Sequence, residues 1–326
     1  MNKTISDIAS IAGVAKSTVS RYLNGGSVSE NTRRKIEHVI KEHHYVPNTF
    51  AQSLKAKKTN IIGTVVPRLD SFASSQTLIG IDEELRNVNY HMLISNTSQD
   101  FEREIEAIYN FARQKVSGII LLAAQVKDEH LIAIKECGVP VLLVGQQHPD
   151  LHSLIHDDYK AGYMMGRHIL EKGHRRIAYL GVTEKDISVG VQRKEGFKKS
   201  LEGSSCYVQY YETGFKMTEA MVTAAHILEE YDPSIIVCAT DNIALGVMKA
   251  ANVKQINIPG DLSVTGFGGY DVTEIIHPAL TTVQFQYKEA GKRAAQNIVR
   301  LVREEEIEDV TMMDFMLLDR ESVDKQ

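Results

Sequence analysis

The chain has 326 residues, of which 43% are hydrophobic and 24% charged, a size and composition typical of a globular protein with two or three domains. It has no apolar run long enough to span a membrane, and its N-terminus lacks an apolar signal core, so we expect a cytoplasmic protein without membrane contact. Its cysteines, Cys137, Cys206 and Cys238, show no CxxC spacing, which favours free thiols.

The net charge of −5 is unevenly distributed along the chain. Residues 1–59 contain ten Lys and Arg against four Asp and Glu, whereas the remaining residues contain 27 against 38. A basic N-terminal segment followed by an acidic remainder indicates that only the first segment meets nucleic acid.

Residues 4–24 have the pattern of two short helices joined by a tight turn. Thr4 and Asp7 are spaced as a capping box for the first helix, and Gly13 supplies the turn. The second helix, at about residues 16–23, has a polar and cationic outer face made of Lys16, Ser17, Ser20 and Arg21. Such a helix can enter a major groove and bond base edges. A small helical hairpin with a solvated face is the alternative.

Residues 13–24, GVAKSTVSRYLN, resemble the helix-turn-helix of the lactose/galactose-repressor (LacI/GalR) family, whose pattern is GVSxxTVSRxLN. Ala15 departs from that pattern because the family usually has a capping serine there, and loss of the cap costs about 1 kcal/mol. The resemblance implies base contacts from Lys16, Ser17 and Arg21. It also implies contacts to backbone or base edges from Thr4, Thr18, Ser20 and Asn24.

A third helix, which Ser29 is predicted to cap, precedes a second DNA-binding candidate. On the residues alone, positions 48–58 are equally consistent with a short helix that folds on DNA and with a plain basic linker. Residues 45–63, YVPNTFAQSLKAKKTNIIG, resemble the family's YxPNxxAxxLxxxxTxxIG. The resemblance implies a hinge helix in the minor groove, with Leu54 wedged between base pairs. The other DNA contacts it implies are Ser29, Tyr45, Asn48 and Ala51.

From Asn60 onward, apolar β-rich runs alternate with helical patterns in two successive series. This βαβ alternation predicts an α/β fold with two lobes, each a doubly wound parallel sheet. The resemblance implies the topology of periplasmic binding proteins, in which the last helix (287–303) and strand (312–318) cross back between lobes. The predicted domains are a helix-turn-helix domain (1–46), a hinge (47–59) and a core (60–326). Within the core we expect an N-lobe of about 60–158 plus 286–309 and a C-lobe of about 159–285 plus 310–320.

Polar residues follow successive predicted strands, which is where open α/β sheets bind ligands. Carboxylates and guanidiniums bond sugar hydroxyls in pairs, and aromatic rings stack on a sugar face. Each of these residues alone could be an ordinary surface residue, but their recurrence at strand ends indicates an effector site. The candidates are Arg68, Asp70, Ser71, Phe72, Asp158, Arg193, Thr240 and Asp241. The resemblance places Asp158, Arg193 and Thr240 at usual effector-binding positions.

Two departures from the family pattern affect this site. Family members usually read GFDD near residue 266, whereas this chain reads GFGGYD at 266–271, so the carboxylate expected at 268 is missing and Asp271 is the candidate substitute. Phe285, a further candidate for the effector site, stands where glutamine is common in the family. The segments PRLDSFAS at 67–74 and GFGGYD at 266–271 are similar to those of sucrose-operon repressors.

Together these features predict a homodimeric repressor on a palindromic operator, released by sucrose, fructose or a related sugar and using no metal or cofactor. A global carbon-catabolite regulator that uses a phosphocarrier corepressor is one alternative. A sugar-binding protein or enzyme without operator specificity is another, although GxSxG, Walker and GxGxxG motifs are absent. His148, His152 and His156 have metal-ligand spacing on a helix, but Pro149 interrupts that stretch.

Overall fold

The computed structural model describes residues 3–23, 26–45 and 59–326. The chain divides into two compact units, residues 1–59 and 60–326. Four of the predicted DNA contacts, Asn24, Asn48, Ala51 and Leu54, lie outside the described residues. Within the described ranges, no helix combines the length and apolarity needed to cross a bilayer.

The N-terminal unit contains three helices: α1 (Ile5–Ala12), α2 (Lys16–Leu23) and α3 (Glu30–Glu42). The capping box predicted for α1 is present, because the Asp7 N–H donates to Thr4 Oγ1 at 3.3 Å and the Thr4 N–H donates to Asp7 Oδ2 at 2.7 Å. Gly13 ends α1 with a φ of 66°. Ser29 caps α3, as predicted. A small apolar core joins the three helices and consists of Ile8, Ala9, Ala12, Val19, Ile36 and Val39.

The core unit confirms the predicted alternation of strands and helices. Its first series is β1 (Ile61–Val66), α4 (Phe72–Asn87), β2 (His91–Asn96), α5 (Phe101–Arg113), β3 (Gly118–Leu122), α6 (Asp128–Cys137), β4 (Val141–Val144) and β5 (Ser153–His156). The second is α7 (Asp158–Glu171), β6 (Arg176–Gly181), a π-helix (Ile187–Gln192), α8 (Arg193–Ser200), β7 (Tyr207–Glu212), α9 (Met217–Glu230), β8 (Ile235–Cys238), α10 (Asp241–Val253), β9 (Ser263–Gly268), α11 (Val272–Ile275) and β10 (Thr281–Phe285). The chain ends with α12 (Tyr287–Val302), β11 (Val310–Met313) and β12 (Phe315–Leu318).

These strands form two six-stranded sheets, ordered β11-β5-β4-β3-β1-β2 and β12-β10-β9-β8-β6-β7. Every pairing is parallel except that of β12 with β10. Strands β3 and β4 are buried along their whole length. Because helices cover both faces of such sheets, the central strands are continuous apolar runs without alternation. The fold is therefore the predicted α/β architecture with two doubly wound sheets.

The lobe boundary near the C-terminus differs from the prediction. Residues 310–313 were expected in the C-lobe, with 312–313 in a strand at 312–318, but they form β11, which pairs with β5 of the first sheet. Strand β12 pairs with β10 of the second sheet. Asp314 divides the apolar run 312–318 into two strands, because the edges of two separate sheets each accept one short strand.

The chain passes between the two sheets at three places, and each passage is one residue long. Asp157 separates β5 from α7, Gln286 separates β10 from α12, and Asp314 separates β11 from β12. The flanking elements belong to different lobes, since α7 packs into the second sheet's core and α12 into the first sheet's core.

A close helix crossing in each lobe depends on glycine. On α7, a Cβ added at Gly162 would lie within 3.0 Å of the Arg193 carbonyl oxygen on α8, and one at Gly196 would meet the Tyr159 carbonyl oxygen equally closely. Real Cβ atoms essentially never make such contacts, so these helices touch through their backbones. The same arrangement joins α4 to α12 through Gly80 and Gly291.

Candidate functional site

The outer face of α2 carries the residues predicted to contact bases. Lys16, Ser17 and Arg21 are exposed, whereas Thr18 and Ser20 are half-buried. A face with two cations and short hydroxyl side chains can donate hydrogen bonds to phosphates and to base edges.

Contacts that the sequence analysis missed hold α2 against α3. The Tyr22 hydroxyl donates to Glu37 Oε1 at 3.0 Å, and Arg33 Nε donates to the same oxygen at 2.9 Å. These two hydrogen bonds, Arg33's first, lower the pKa of the Glu37 carboxyl. The Glu37 carboxylate on α3 therefore holds α2 in place. Tyr45 is half-buried and packs into the small apolar core that joins the three helices.

Thr4 and Ser29 have structural roles in the described residues, because each caps a helix through its hydroxyl oxygen. Neither role prevents a further hydrogen bond to phosphate, since a hydroxyl has one donor and two acceptor lone pairs.

In the core unit, a cavity of about 190 Å³ lies between the carboxyl ends of the two sheets. Both lobes line it, as expected for a ligand site at the strand ends of doubly wound sheets. Its polar lining includes hydroxyls and amides beside charged side chains, among them Ser71, Gln99, Gln146, Ser188, Thr240 and Asn242. Such a lining can bond several hydroxyl groups of one small ligand.

A buried ion pair forms the charged centre of the cavity. Arg193 and Asp158 are 4% and 6% exposed, and Asp158 Oδ1 accepts from Arg193 Nε at 3.0 Å and from Nη2 at 2.5 Å. Arg193 Nη1 donates to the Ala239 carbonyl oxygen. The guanidinium also lies 4.8 and 5.0 Å from the ring centroids of Phe267 and Phe285. Burial lowers the pKa of Arg193, but Asp158, Tyr287 and Tyr179 together outweigh it, so the net pKa is raised and the guanidinium stays charged.

Aromatic rings from both lobes meet beside this pair. The Phe72 ring lies 4.2 Å from that of Tyr270, at an interplanar angle of 30°, and 6.5 Å from that of Tyr287. Phe72 belongs to α4 in the first lobe, whereas Tyr270 follows β9 in the second. Tyr270 and Tyr287 line the cavity, and Phe72 contacts Tyr270 from the other lobe without lining it.

Asp241 lies beneath the cavity and organises the GFGGYD loop. It is fully buried and accepts from the Thr282 hydroxyl at 2.6 Å and from the Tyr270 N–H at 2.9 Å. Burial raises its pKa to about 6. A Cβ at Gly266 would collide with this carboxylate, which explains why glycine stands there. Asp241 thus holds Tyr270 in position and does not itself line the cavity.

Hydrogen bonds also join the two lobes directly. Ser188, in the π-helix of the second lobe, donates to the Gly145 carbonyl oxygen at 2.6 Å and accepts from Gln146 Nε2 at 3.1 Å. The Ile187 N–H donates to the Ala124 carbonyl oxygen at 3.3 Å. The carboxyl ends of β3 and β4 are therefore tied to the opposite lobe.

The structure brings most of the predicted effector residues together. Arg68, Ser71, Asp158, Arg193, Thr240 and Phe285 line the cavity. Phe72 packs on Tyr270, and Asp241 lies below. Asp70 and Asp271 are exposed and do not line the cavity, because the loops that hold them turn their carboxylates to the surface.

Several cavity residues were missed by sequence reasoning. Asp186 precedes the π-helix and accepts from the Val189 N–H at 3.0 Å, and burial raises the pKa of its carboxyl. Tyr287 follows β10, and Phe215 follows β7. Each follows a strand within a few residues, which is the signal that could have identified them.

The predicted spacing of His148, His152 and His156 does not correspond to a helix. His156 ends β5, and His148 is bridged to Leu151 in a short antiparallel pairing. In the parts of the chain that the structure describes, no group of three His, Cys, Asp or Glu side chains is placed to hold a metal ion.

A helix-turn-helix unit followed by a two-lobed core of doubly wound sheets is the arrangement of a class of bacterial DNA-binding regulators. The profile for bacterial regulatory proteins of the lacI family matches residues 4–48, and the profile for the periplasmic binding protein-like domain matches residues 167–323. The chain is 42% identical over 313 residues to the sucrose operon repressor of Staphylococcus xylosus, with 96% of this chain and 98% of that protein covered. This chain belongs to the lacI family of bacterial regulatory proteins.

Other relatives agree with this assignment. Catabolite control protein A of Priestia megaterium is 29% identical over 315 residues, with 94% of this chain and 95% of that protein covered. The crystal structure of the Lac repressor bound to ONPG has a TM-score of 0.90 at 25% identity and covers 99% of this chain and 100% of its own. Like these relatives, the chain is a transcriptional regulator and not an enzyme.

Proposed function

We propose that this chain is a homodimeric repressor of a sugar-utilisation operon, and that a small sugar bound in the cavity releases it from a palindromic operator. The Asp158–Arg193 pair, buried in a polar cavity between the lobes, is the observation that carries the proposal. Sucrose, fructose or a related sugar is the effector we expect, because the name of the 42% identical relative refers to a sucrose operon.

In the proposed mechanism, residues 1–46 bind the major groove and residues 47–59 form the minor-groove hinge. Two chains bind together because one recognition helix per chain makes few base contacts, and a two-fold dimer matches a palindrome. Sugar binding changes the angle between the lobes and separates the two hinge segments. Leu54 then leaves the minor groove. The N-lobe of this proposal comprises 60–158 and 286–313, with the remainder of the core in the C-lobe.

A titration of operator DNA with and without sugar tests the proposal. We expect sucrose or fructose to weaken operator binding by about 5- to 150-fold, the range typical of allosteric coupling. Fluorescence anisotropy measures the affinity, and a thermal-shift screen of sugars measures binding independently, since a ligand of the folded state raises the unfolding midpoint. Operator affinity that no sugar changes would refute the proposal, and affinity that rises with sugar would make the ligand a corepressor.

Substitution of Arg21 by alanine tests the recognition helix. We expect Arg21→Ala to weaken operator binding by about 1–3 kcal/mol, because a bidentate contact to a base edge is lost. Binding to scrambled DNA should change little. Arg34→Ala is the matched control, because Arg34 is exposed on α3 and pairs with Glu30 at 3.3 Å. An equal loss on operator and scrambled DNA would mean that Arg21 contacts phosphate alone.

A further inference from the structure

Charge in the cavity is balanced. Its lining carries two guanidiniums, Arg68 and Arg193, and two carboxylates, Asp158 and Asp186, and no lysine lines it in the described part of the chain. Both cations already have partners. Arg193 is bonded to Asp158 and Ala239. Arg68 Nε lies 3.7 Å from Asp70 Oδ1, and the guanidinium lies 4.7 Å from the centroid of the Phe215 ring. An added anion would therefore meet no unpaired positive charge.

At two helix N-termini beside the cavity, an internal acceptor already bonds one of the free N–H groups. Ser71 Oγ accepts from the Ser74 N–H at the start of α4, and Thr240 Oγ1 accepts from the Ile243 N–H at the start of α10. A helix N-terminus binds phosphate through its free N–H groups. At these two helices one of those groups is already bonded, and at α7 the Asp158 carboxylate stands in the first turn.

One fully buried polar atom in the cavity wall has no hydrogen-bond partner among the described residues. His156 ends β5, and its ring lies edge-on to Phe285 and Tyr287, with centroids 5.1 and 5.4 Å away. Its Nε2 atom is buried, and no hydrogen bond to it exists within the described residues. Burial lowers the pKa of His156 to about 4, so the ring is neutral near pH 7 and adds no positive charge. A buried ring nitrogen without a partner is unfavourable unless a ligand group bonds to it.

From these observations we infer that the effector is an uncharged, unphosphorylated sugar of monosaccharide size, and that His156 Nε2 bonds one of its hydroxyl groups. The inference rests on the proposed function and specifies its ligand. A cavity of about 190 Å³ is smaller than the roughly 300–1,000 Å³ of pockets for drug-sized ligands. A phosphate ester would bring negative charge beside Asp158 and Asp186 with no free cation to neutralise it.

Calorimetry on the full chain tests the charge preference. D-fructose, D-glucose and sucrose are each compared with their 6-phosphate esters. We expect at least one free monosaccharide to bind about tenfold or more tightly than its ester, a difference of about 1.4 kcal/mol. An ester that binds as tightly as its free sugar would overturn the inference, and so would a preference for sucrose over both monosaccharides.

A charge substitution provides a second measurement. Asp186→Asn keeps the cap on the Val189 N–H, because asparagine is also a good capping residue, and removes one carboxylate. We expect Asp186→Asn to reduce the ratio of free-sugar affinity to ester affinity by about tenfold. Asp150→Asn, which neutralises an exposed carboxylate outside the lining, is the control. An unchanged ratio in Asp186→Asn would overturn the electrostatic explanation.

His156→Ala tests the hydrogen bond. We expect it to weaken binding of the preferred monosaccharide by about tenfold, with partial recovery in His156→Gln, whose amide can bond a hydroxyl. His91→Ala, an exposed histidine on β2, is the control, and a thermal-unfolding profile verifies that each variant is folded. Unchanged affinity in folded His156→Ala would remove His156 from the site.

Operator release by an ester alone would overturn this inference and leave the proposed function standing, whereas failure of every sugar to bind would refute both.

Discussion

Arg193→Ala is expected to bind operator and fail to release it when sugar is added. The substitution removes both hydrogen bonds to Asp158, the bond to the Ala239 carbonyl oxygen, and the cation between the rings of Phe267 and Phe285. Breaking one half of a buried pair costs about 3–5 kcal/mol, because the remaining charge is buried without a partner. We therefore also expect a clear fall in the free energy of unfolding.

Operator titrations with and without sugar, combined with urea unfolding, measure both effects of Arg193→Ala. Arg167→Ala is the control, because Arg167 is an exposed residue of α7 whose pair with Glu171 spans 3.9 Å. Exposed pairs of this kind contribute about 0–1 kcal/mol. Normal sugar affinity in Arg193→Ala would exclude this guanidinium from ligand binding.

After Arg193→Ala, Gly162→Ala is expected to have the largest effect on stability and sugar binding. The new Cβ would collide with the backbone carbonyl oxygen of Arg193, and a backbone atom cannot move aside as the end of a flexible side chain can. Overpacking in a buried contact costs about 1–3 kcal/mol. Because α8 must shift away from α7, Arg193 would move relative to Asp158. We expect lower stability together with weaker sugar binding.

Urea unfolding and sugar calorimetry measure the two consequences of Gly162→Ala. Gly260→Ala is a suitable control, because the nearest atom to its added Cβ, Asn257 Cβ, is 3.8 Å away. That variant should differ from the parent by a few tenths of a kcal/mol. If Gly162→Ala left both stability and sugar affinity unchanged, the close helix contact would have no role in positioning Arg193.

Local signals in the sequence predicted most of the elements and the N-terminal caps of α1 and α3. Thr4 with Asp7 and Ser29 cap the helices they were expected to cap, because capping depends on residues within one turn. The βαβ alternation predicted both sheets, because each strand is an apolar run between turn signals that can be read locally. The π-helix at Ile187–Gln192 has no comparable local signature and was not predicted.

The candidate site could be predicted only in part, because its geometry depends on contacts between distant segments. Polar residues after strands were identified as candidates, and Arg68, Arg193 and Thr240 do line the cavity. Asp241 has the same sequence pattern, yet it is buried below the lining by Thr282 and Tyr270, residues about 30 to 40 positions away. Spacing along the chain carries no information about such pairings.

The single-residue passages between the sheets have a mechanical consequence. His156 and Asp158 flank the first passage, and Phe285 and Tyr287 flank the second, so cavity-lining side chains lie directly beside these passages. In the proposed mechanism the lobes turn about these passages, so a shift of a fraction of an ångström at the cavity becomes a larger displacement at the far ends of the lobes. We expect glycine insertions beside Asp157 or Gln286 to make these passages flexible, so that a ligand could bind in the cavity without turning the lobes.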